Sequence, residues 1–199
     1  MTNHCWNDVQ GPAVTASAAE QELAVRGFVA LWRGEQPTIA DLGGDAYTVE
    51  VMVGAGRLEV DATGRLVAVH GLAARTTLHR IEHDGRIVHT WCAFDAIGIP
   101  AALGIDAQAV TTCPTCAREL RTILLGGRPI EDAALRLWFP DADCAHLVDD
   151  FCRHANLYCN VDHLTAAELG DRGHVITIGD AAAIGRVTWL DVARRAPAV

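Results

Sequence analysis

The dipeptide Asp84-Gly85, which lies between two alternating segments, sets the architecture of this chain. Residues 77–83 and 86–91 alternate between apolar and polar side chains, which is the pattern of strands with one buried face. Asp-Gly favours the two-residue turn that joins antiparallel strands. We therefore predict a β-hairpin over this part of the chain.

The residues after this hairpin mix strand and helix patterns. Strands are expected on both sides of a Cys-Pro-Thr-Cys turn within 110–125, and another over 133–139; helices are expected over 93–99, 144–153 and 181–194. Pro100 should end or kink the first helix, because proline has no N–H for the helical hydrogen bond. The predicted class is α+β, with mainly antiparallel strands and flanking helices.

The first 75 residues favour a small separate module. A helix is predicted over 21–32, a short helix over 37–42, a segment of ambiguous type over 46–53 and a hairpin over 57–69. This order is typical of a winged-helix-like domain, which we place at 21–75, after a poorly ordered N-terminus (1–20) and before a catalytic domain (76–199). Winged helices often bind DNA, but residues 45–56 contain no arginine and the net charge of the chain is −9. We therefore do not expect this domain to bind nucleic acid, and a structural role as a packing module is favoured.

The absence of lysine and the presence of only one serine exclude several kinds of chemistry. The chain has no lysine, which excludes Schiff bases, pyridoxal phosphate attachment and the lysine-containing phosphate loop. Its single serine, Ser17, makes a Ser-His-Asp hydrolase implausible. Seven cysteines and nine histidines point instead to thiol or metal chemistry. An odd number of cysteines without a recognisable secretory signal indicates a cytoplasmic protein, and the apolar runs are too short for a membrane span.

The first candidate site is Trp91-Cys92-Ala93-Phe94-Asp95. Cys92 follows a predicted strand and opens a predicted helix, where free backbone N–H groups and the helix dipole should lower the pKa of its thiol toward neutrality. Asp95 lies three residues on and therefore shares a helix face with Cys92. The alternative is an ordinary buried cysteine followed by a helix-capping aspartate.

Two further cysteine motifs lie downstream. Cys152 precedes Arg153 and His154, either of which could stabilise a thiolate. Cys113 and Cys116 form a Cys-x-x-Cys, which is half of a zinc site, a redox pair or a supporting element. A structural zinc would need two more ligands, and Cys144, Cys152, Cys159 and several histidines are the candidates.

Together these residues resemble the organomercurial (alkylmercury) lyase family, from about Pro37 to Leu164. The segments that carry the resemblance are Thr38-Ile39-Ala40-Asp41-Leu42, Gly56-Arg57-Leu58, Gly71-Leu72, Thr77, Thr90-Trp91-Cys92-Ala93-Phe94-Asp95-Ala96-Ile97-Gly98-Ile99-Pro100, Cys113 and Phe151-Cys152-Arg153-His154. The Trp-Cys-Ala-x-Asp segment, followed about 60 residues later by Phe-Cys-x-His, is the most specific part.

The resemblance implies an enzyme that cleaves a carbon–mercury bond. Cys92 and Cys152 would bind mercury as thiolates, and Asp95 would donate the proton, leaving a hydrocarbon and Hg(II) held by these three residues. Cys113 corresponds to a third family cysteine with a structural role. No cofactor is implied; small thiols or a mercuric reductase would accept Hg(II) from a monomer or homodimer.

Some residues depart from the family pattern and leave alternatives open. Cys116 and Cys159 are additional thiols that would hold a structural metal, pass Hg(II) onward or mark a changed substrate. The second hypothesis is a non-catalytic protein on the same fold that binds Hg, Cu or Zn through its thiols. Asp95 separates the two, because a metal sequestrant does not need an acid at that position.

Overall fold

An eight-stranded antiparallel sheet forms the centre of the computed structural model. The structure describes residues 16–130, 132–141 and 145–195, together with the backbone of 6–7 and 11–12. The strands are β1 (Trp6–Asn7), β2 (Gly11–Pro12), β3 (Leu58–Val60), β4 (Leu66–Val69), β5 (Leu72–Ala73), β6 (His79–His83), β7 (Arg86–Thr90), β8 (Ala107–Thr112), β9 (Glu119–Leu125), β10 (Arg128–Pro129), β11 (Arg136–Pro140), β12 (Leu157–Tyr158) and β13 (Gly173–Ile176). The helices are α1 (Ala18–Trp32), α2 (Ala46–Gly54), α3 (Ala93–Leu103), α4 (Val161–Thr165), α5 (Ile178–Thr188) and α6 (Leu190–Arg195), and a π-helix spans Val148–Cys152.

The sheet order confirms the mixed, mainly antiparallel class. The large sheet runs β10-β9-β8-β6-β7-β5-β4-β3, a second sheet runs β12-β11-β13, and β1 pairs with β2. The predicted central hairpin is β6–β7, with His83 paired to Arg86. Asp84 and Gly85 have φ values of 47° and 72°, as a type I′ turn requires.

The N-terminal elements are joined to the large sheet. The predicted hairpin is β3–β4, but β4 pairs with β5 and β5 pairs with β7, so these strands continue the same sheet. The winged-helix-like module is therefore not confirmed, and the division at 20/21 and 75/76 stays a prediction. The ambiguous third segment is helix α2, which Asp45 caps by accepting from the amide of Thr48.

One predicted helix is wrong. Residues 39–43 form turns, and Thr38 makes a bridge to Arg65 beside them. The Asp41 carboxylate accepts hydrogen bonds from both the amide and the hydroxyl of Thr38. Such a local side-chain bond closes a turn in place of the helical ladder.

Helix α3 is the buried element on which the site depends. It continues through Pro100 to Leu103 and is capped by Gly104, whose φ of 67° is typical of a helix C-terminus. Of the two expectations for Pro100, an end or a kink, the end is therefore wrong. Proline removes one helical N–H, and the buried surroundings retain the helix around it. Helix α5 crosses α3 closely: a Cβ at Gly185 would lie 2.2 Å from the Cα of Gly98.

Three other predicted segments are shifted. The strand expected over 133–139 is Arg136–Pro140, and the helix expected over 144–153 contains a π-helix at Val148–Cys152, with Cys144 outside the described residues. The C-terminal helix is divided at Trp189, whose indole N–H donates to the carbonyl of His70 at 2.9 Å. Within the described segments, no helix is long and apolar enough to cross a membrane.

Candidate active site

Cys92 lies at the junction of strand β7 and helix α3. It is the N-cap residue of α3, in extended conformation, and it has no exposed surface. The amide of Trp91 donates to the carbonyl of Gly71 at 2.9 Å, which ties this junction to the start of β5. The strand-to-helix transition predicted from the sequence is therefore present, and it points the first thiol into the core.

Asp95 turns back toward the cysteine. Its carboxylate accepts a hydrogen bond from the backbone N–H of Cys92 at 3.0 Å, the expected contact between an N-cap residue and the residue three positions later. Asp95 is only 4% exposed. Gly71 makes room for it: with φ at 90°, a Cβ there would lie 3.1 Å from the Asp95 Cγ.

Cys152 reaches the same place from a distant part of the chain. It ends the π-helix, and the amide of Ala93 donates to the carbonyl of Ala155 at 3.2 Å, which fixes the segment after Cys152 against the start of α3. The sulfurs of Cys92 and Cys152 and a carboxylate oxygen of Asp95 all lie within 4.8 Å of one another, and all three residues are buried. The structure thus brings together the three residues named from the sequence.

The pKa of Asp95 is determined mainly by its burial. Because its charged form is desolvated, the pKa of Asp95 is raised from 3.8 to about 7, although hydrogen bonds from Cys92 and Trp91 oppose the shift. A carboxyl with this pKa keeps its proton up to about neutral pH. It can therefore serve as a proton donor inside the site.

The predicted low pKa of Cys92 is wrong. Burial raises the pKa of this thiol well above its usual range, and the contact with Cys152 and the charge of Asp95 act in the same direction. The backbone N–H of Asp95 lowers it by too little to compensate. The helix N-terminus therefore does not overcome the loss of solvation.

Cys152 also has a raised pKa. The contact with Cys92 lowers it, but burial and the negative charges of Asp95 and Glu59 outweigh that effect. The expected thiolate stabilisation by Arg153 and His154 is not found, because both side chains are exposed and the Arg153 guanidinium binds Asp149 at 3.0 Å. Both cysteines are therefore thiols before a metal arrives, and binding a metal would release their protons.

Two adjoining cavities lie beside Asp95 and Cys152. A small one of about 40 Å³ is lined by Asp95 and Cys152. A larger one of about 300 Å³ lies next to it, and both are lined by His70, Trp91, Leu147 and Thr188. Burial lowers the pKa of His70 to about 4, so its imidazole is uncharged at neutral pH.

A second cluster of metal-binding side chains lies at the β8–β9 turn. Cys113, Cys116, Cys159 and His163 place one ligand atom each within 4.8 Å of all the others. The sequence identified the three cysteines as candidates but did not single out His163, whose four-residue spacing from Cys159 was the available signal. Cys152 does not join this cluster.

The thiols of the second cluster have different acidities. Burial raises the pKa of Cys113, but backbone N–H groups of Cys159, Cys116 and Thr115, with His163, outweigh it and bring the pKa to about 6. Burial and the other two thiols raise the pKa of Cys159 to about 11. All five cysteines of the described segments are free thiols.

Known proteins resemble this chain in sequence and in fold. Alkylmercury lyases from Pseudomonas putida and Staphylococcus epidermidis are each 28% identical to it, and one from Streptomyces lividans is 29% identical. The matched regions cover 51%, 51% and 52% of this chain and 49%, 48% and 49% of the relatives. The chain thus spans about half the length of the curated relatives it matches.

A solved structure shares the fold. It is the mercury-bound form of MerB2, with a TM-score of 0.80 and 16% sequence identity, and the match covers 90% of this chain and 93% of that one. The MerB alkylmercury lyase family model matches residues 72–188, which is more than half of the chain and includes all three residues of the buried site. The chain therefore belongs to the alkylmercury lyase family.

Proposed function

We propose that this protein is a carbon–mercury lyase that cleaves alkyl- or arylmercury compounds into a hydrocarbon and Hg(II). The observation that supports it is the convergence of two thiols and an acid of raised pKa within 4.8 Å, in a buried site. Family membership supports the same reaction. Mercury is the substrate's own atom here, and the proposed reaction needs no cofactor.

The two cysteines would bind mercury in turn. Hg(II) is a soft cation that prefers thiolate ligands. Cys152, which lines the small cavity, exchanges its thiol proton for the mercury of an R–Hg–thiolate and releases the small thiol. Cys92 then brings its sulfur to the same mercury, and its thiol proton passes to the Asp95 carboxyl as that group gives its own proton to the carbon. Two sulfur ligands push electron density toward the carbon and weaken its bond to the metal.

Asp95 would complete the cleavage as the general acid. It donates its proton to the carbon as the carbon–mercury bond breaks, and the electron pair of that bond forms the new C–H bond. The proton lost by Cys92 returns to the carboxylate, so Asp95 ends the cycle as it began. The products are R–H and Hg(II) bound by two thiolates, and the charges balance.

The larger cavity would hold the organic group. Its volume of about 300 Å³ accommodates a methyl or phenyl group, and Trp91 and Leu147 supply apolar walls beside the thiols. His70 is uncharged at neutral pH, and Arg57, which also lines this cavity, forms an ion pair with Glu20. Small thiols or a mercuric reductase would then take Hg(II) from the two cysteines, in the cytoplasm, with the protein as monomer or homodimer.

The experiment that tests this proposal separates catalysis from metal binding. Purified wild-type protein with excess thiol should release benzene from phenylmercury, whereas Asp95→Ala should bind mercury and release none. Gas chromatography measures benzene, and mass spectrometry of the intact protein measures bound mercury. If the wild-type protein binds mercury but releases no benzene, the lyase proposal fails and the non-catalytic metal-binding hypothesis replaces it.

A further inference from the structure

The cluster of Cys113, Cys116, Cys159 and His163 has no part in the proposed lyase reaction. It combines two segments of the chain, the turn between β8 and β9 and the residues from the end of β12 into α4. Cys113 and Cys159 are buried, His163 is half-buried and Cys116 is exposed, so the cluster lies at the surface. Three sulfurs and one imidazole nitrogen are a donor set typical of structural zinc.

Three of the distances within the cluster match a tetrahedral metal site. Zinc bonds of about 2.3 Å to sulfur and 2.0–2.1 Å to nitrogen, at tetrahedral angles, place two sulfurs about 3.8 Å apart and a sulfur and nitrogen about 3.6 Å apart. The sulfurs of Cys159 and Cys113 are 3.7 Å apart, and those of Cys159 and Cys116 are also 3.7 Å apart. The Cys113 Sγ lies 3.7 Å from the His163 Nδ1.

One distance needs adjustment. The Cys159 Sγ and the His163 Nδ1 are 2.7 Å apart, which is a hydrogen-bond contact and shorter than a tetrahedral edge by about 1 Å. His163 is half-buried, and a rotation of its ring would lengthen this edge. A disulfide would require sulfurs about 2.05 Å apart, well below the spacing of these thiols.

The surrounding backbone holds the ligands in place. The amide of Ala117 donates to the carbonyl of Cys113 at 2.9 Å, and Ala117 has a φ of 58°, which closes the Cys-Pro-Thr-Cys turn tightly. The Thr115 hydroxyl of this turn donates to the carbonyl of His163 on the other segment at 2.7 Å, and within that segment the Asn160 side chain accepts from the amide of His163 at 2.8 Å. The ligand-bearing segments are thus joined by contacts outside the cluster itself.

We propose that Cys113, Cys116, Cys159 and His163 bind one zinc ion as a structural site, distinct from the mercury site. Four protein ligands close a tetrahedral site and leave no open position for catalysis. The ion would hold the segment that contains Cys159 against the β8–β9 hairpin. Cys152 lies seven residues before Cys159 in this segment. The ion would thereby stabilise the position from which Cys152 approaches Cys92.

Metal analysis of purified protein tests this proposal without using lyase activity. We expect one zinc per chain by native mass spectrometry and elemental analysis, and a tetrahedral thiolate spectrum after replacement of zinc by Co(II). Cys116→Ser is the main variant, because this side chain is exposed and its loss leaves no void in the core. Removing a direct ligand should weaken zinc binding by at least about 100-fold, since loss of a second-shell contact already costs 10–100-fold.

A double variant, Cys92→Ser with Cys152→Ser, is the matched control. It removes two thiols from the other cluster and should keep one zinc and an unchanged Co(II) spectrum. Two results would overturn the proposal: wild-type protein that takes up neither zinc nor Co(II), or zinc that persists in Cys116→Ser and disappears in the double variant. If Cys116→Ser is unstable, His163→Ala gives the same measurement.

Discussion

Replacing Asp95 by asparagine should stabilise the fold at neutral and higher pH. Ionising this carboxyl is unfavourable in the folded protein, because its pKa is about 7 there and about 3.8 in the unfolded chain. The protonated acid thus stabilises the fold fully below pH 3.8, and this contribution is lost as the pH rises to about 7. Asparagine cannot ionise and keeps an oxygen to accept from the amide of Cys92, so it avoids the loss.

The size of the effect follows from the shift. About three pKa units, at about 1.4 kcal/mol each, correspond to about 4 kcal/mol once the pH exceeds 7. The difference in unfolding free energy between Asp95→Asn and wild type should therefore increase by about 3–4 kcal/mol from pH 4 to pH 8. Any constant cost of the substitution cancels in this comparison.

Urea unfolding followed by tryptophan fluorescence, in the presence of reductant, measures the difference at each pH. Asp41→Asn is the control, because hydrogen bonds from Thr38 lower the pKa of Asp41. The contribution of Asp41 to stability is lost only as the pH falls below about 3.8, so the difference between Asp41→Asn and wild type should stay nearly constant from pH 4 to pH 8. A difference between Asp95→Asn and wild type that stays constant from pH 4 to pH 8 would refute the reasoning, since Asp95 would then have an ordinary pKa.

Two glycine substitutions test the packing around the site. Gly185→Ala should destabilise the protein by about 1–3 kcal/mol, because its Cβ would lie 2.2 Å from the backbone of α3. Gly54→Ala is the control and should not destabilise, since a Cβ at Gly54 of α2 meets nothing within 4 Å. Equal midpoints of urea unfolding for the two variants would contradict this prediction. Gly71→Ala should lower the rate of benzene release from phenylmercury, because its Cβ would lie 3.1 Å from the Asp95 Cγ. Gly85→Ala is the control: Gly85 has a similar φ, but its Cβ would lie in open space, so this substitution should affect stability alone. Equal rates of benzene release in the two variants would contradict this prediction.

Local sequence patterns predicted the strand and the helix that carry Cys92 and Asp95. The Asp84-Gly85 turn and the strand before Cys92 depend on neighbouring residues, and so does the three-residue spacing to Asp95. The helix expected over 37–42 failed because a side-chain hydrogen bond from Thr38 to Asp41 competes with the helix.

Features that depend on the tertiary fold were harder to predict. The approach of Cys152 to Cys92 relies on a contact between Ala93 and Ala155, which no local pattern contains, and only the family resemblance indicated it. The thiol pKa of Cys92 was predicted with the wrong sign, because a helix N-terminus is visible in the sequence and complete burial is not. His163 was not singled out for a similar reason, since its partners Cys113 and Cys116 are about 50 residues away.

A single turnover of phenylmercury in D₂O tests the central claim most directly. Mass spectrometry of both products should find benzene that carries one deuterium and a protein that has gained one mercury, and the double variant Cys92→Ser and Cys152→Ser should release no deuterated benzene. Deuterium in benzene would show that an exchangeable proton, such as that of Asp95, reaches the carbon. Undiminished benzene release by the double variant, or benzene without deuterium, would contradict the account.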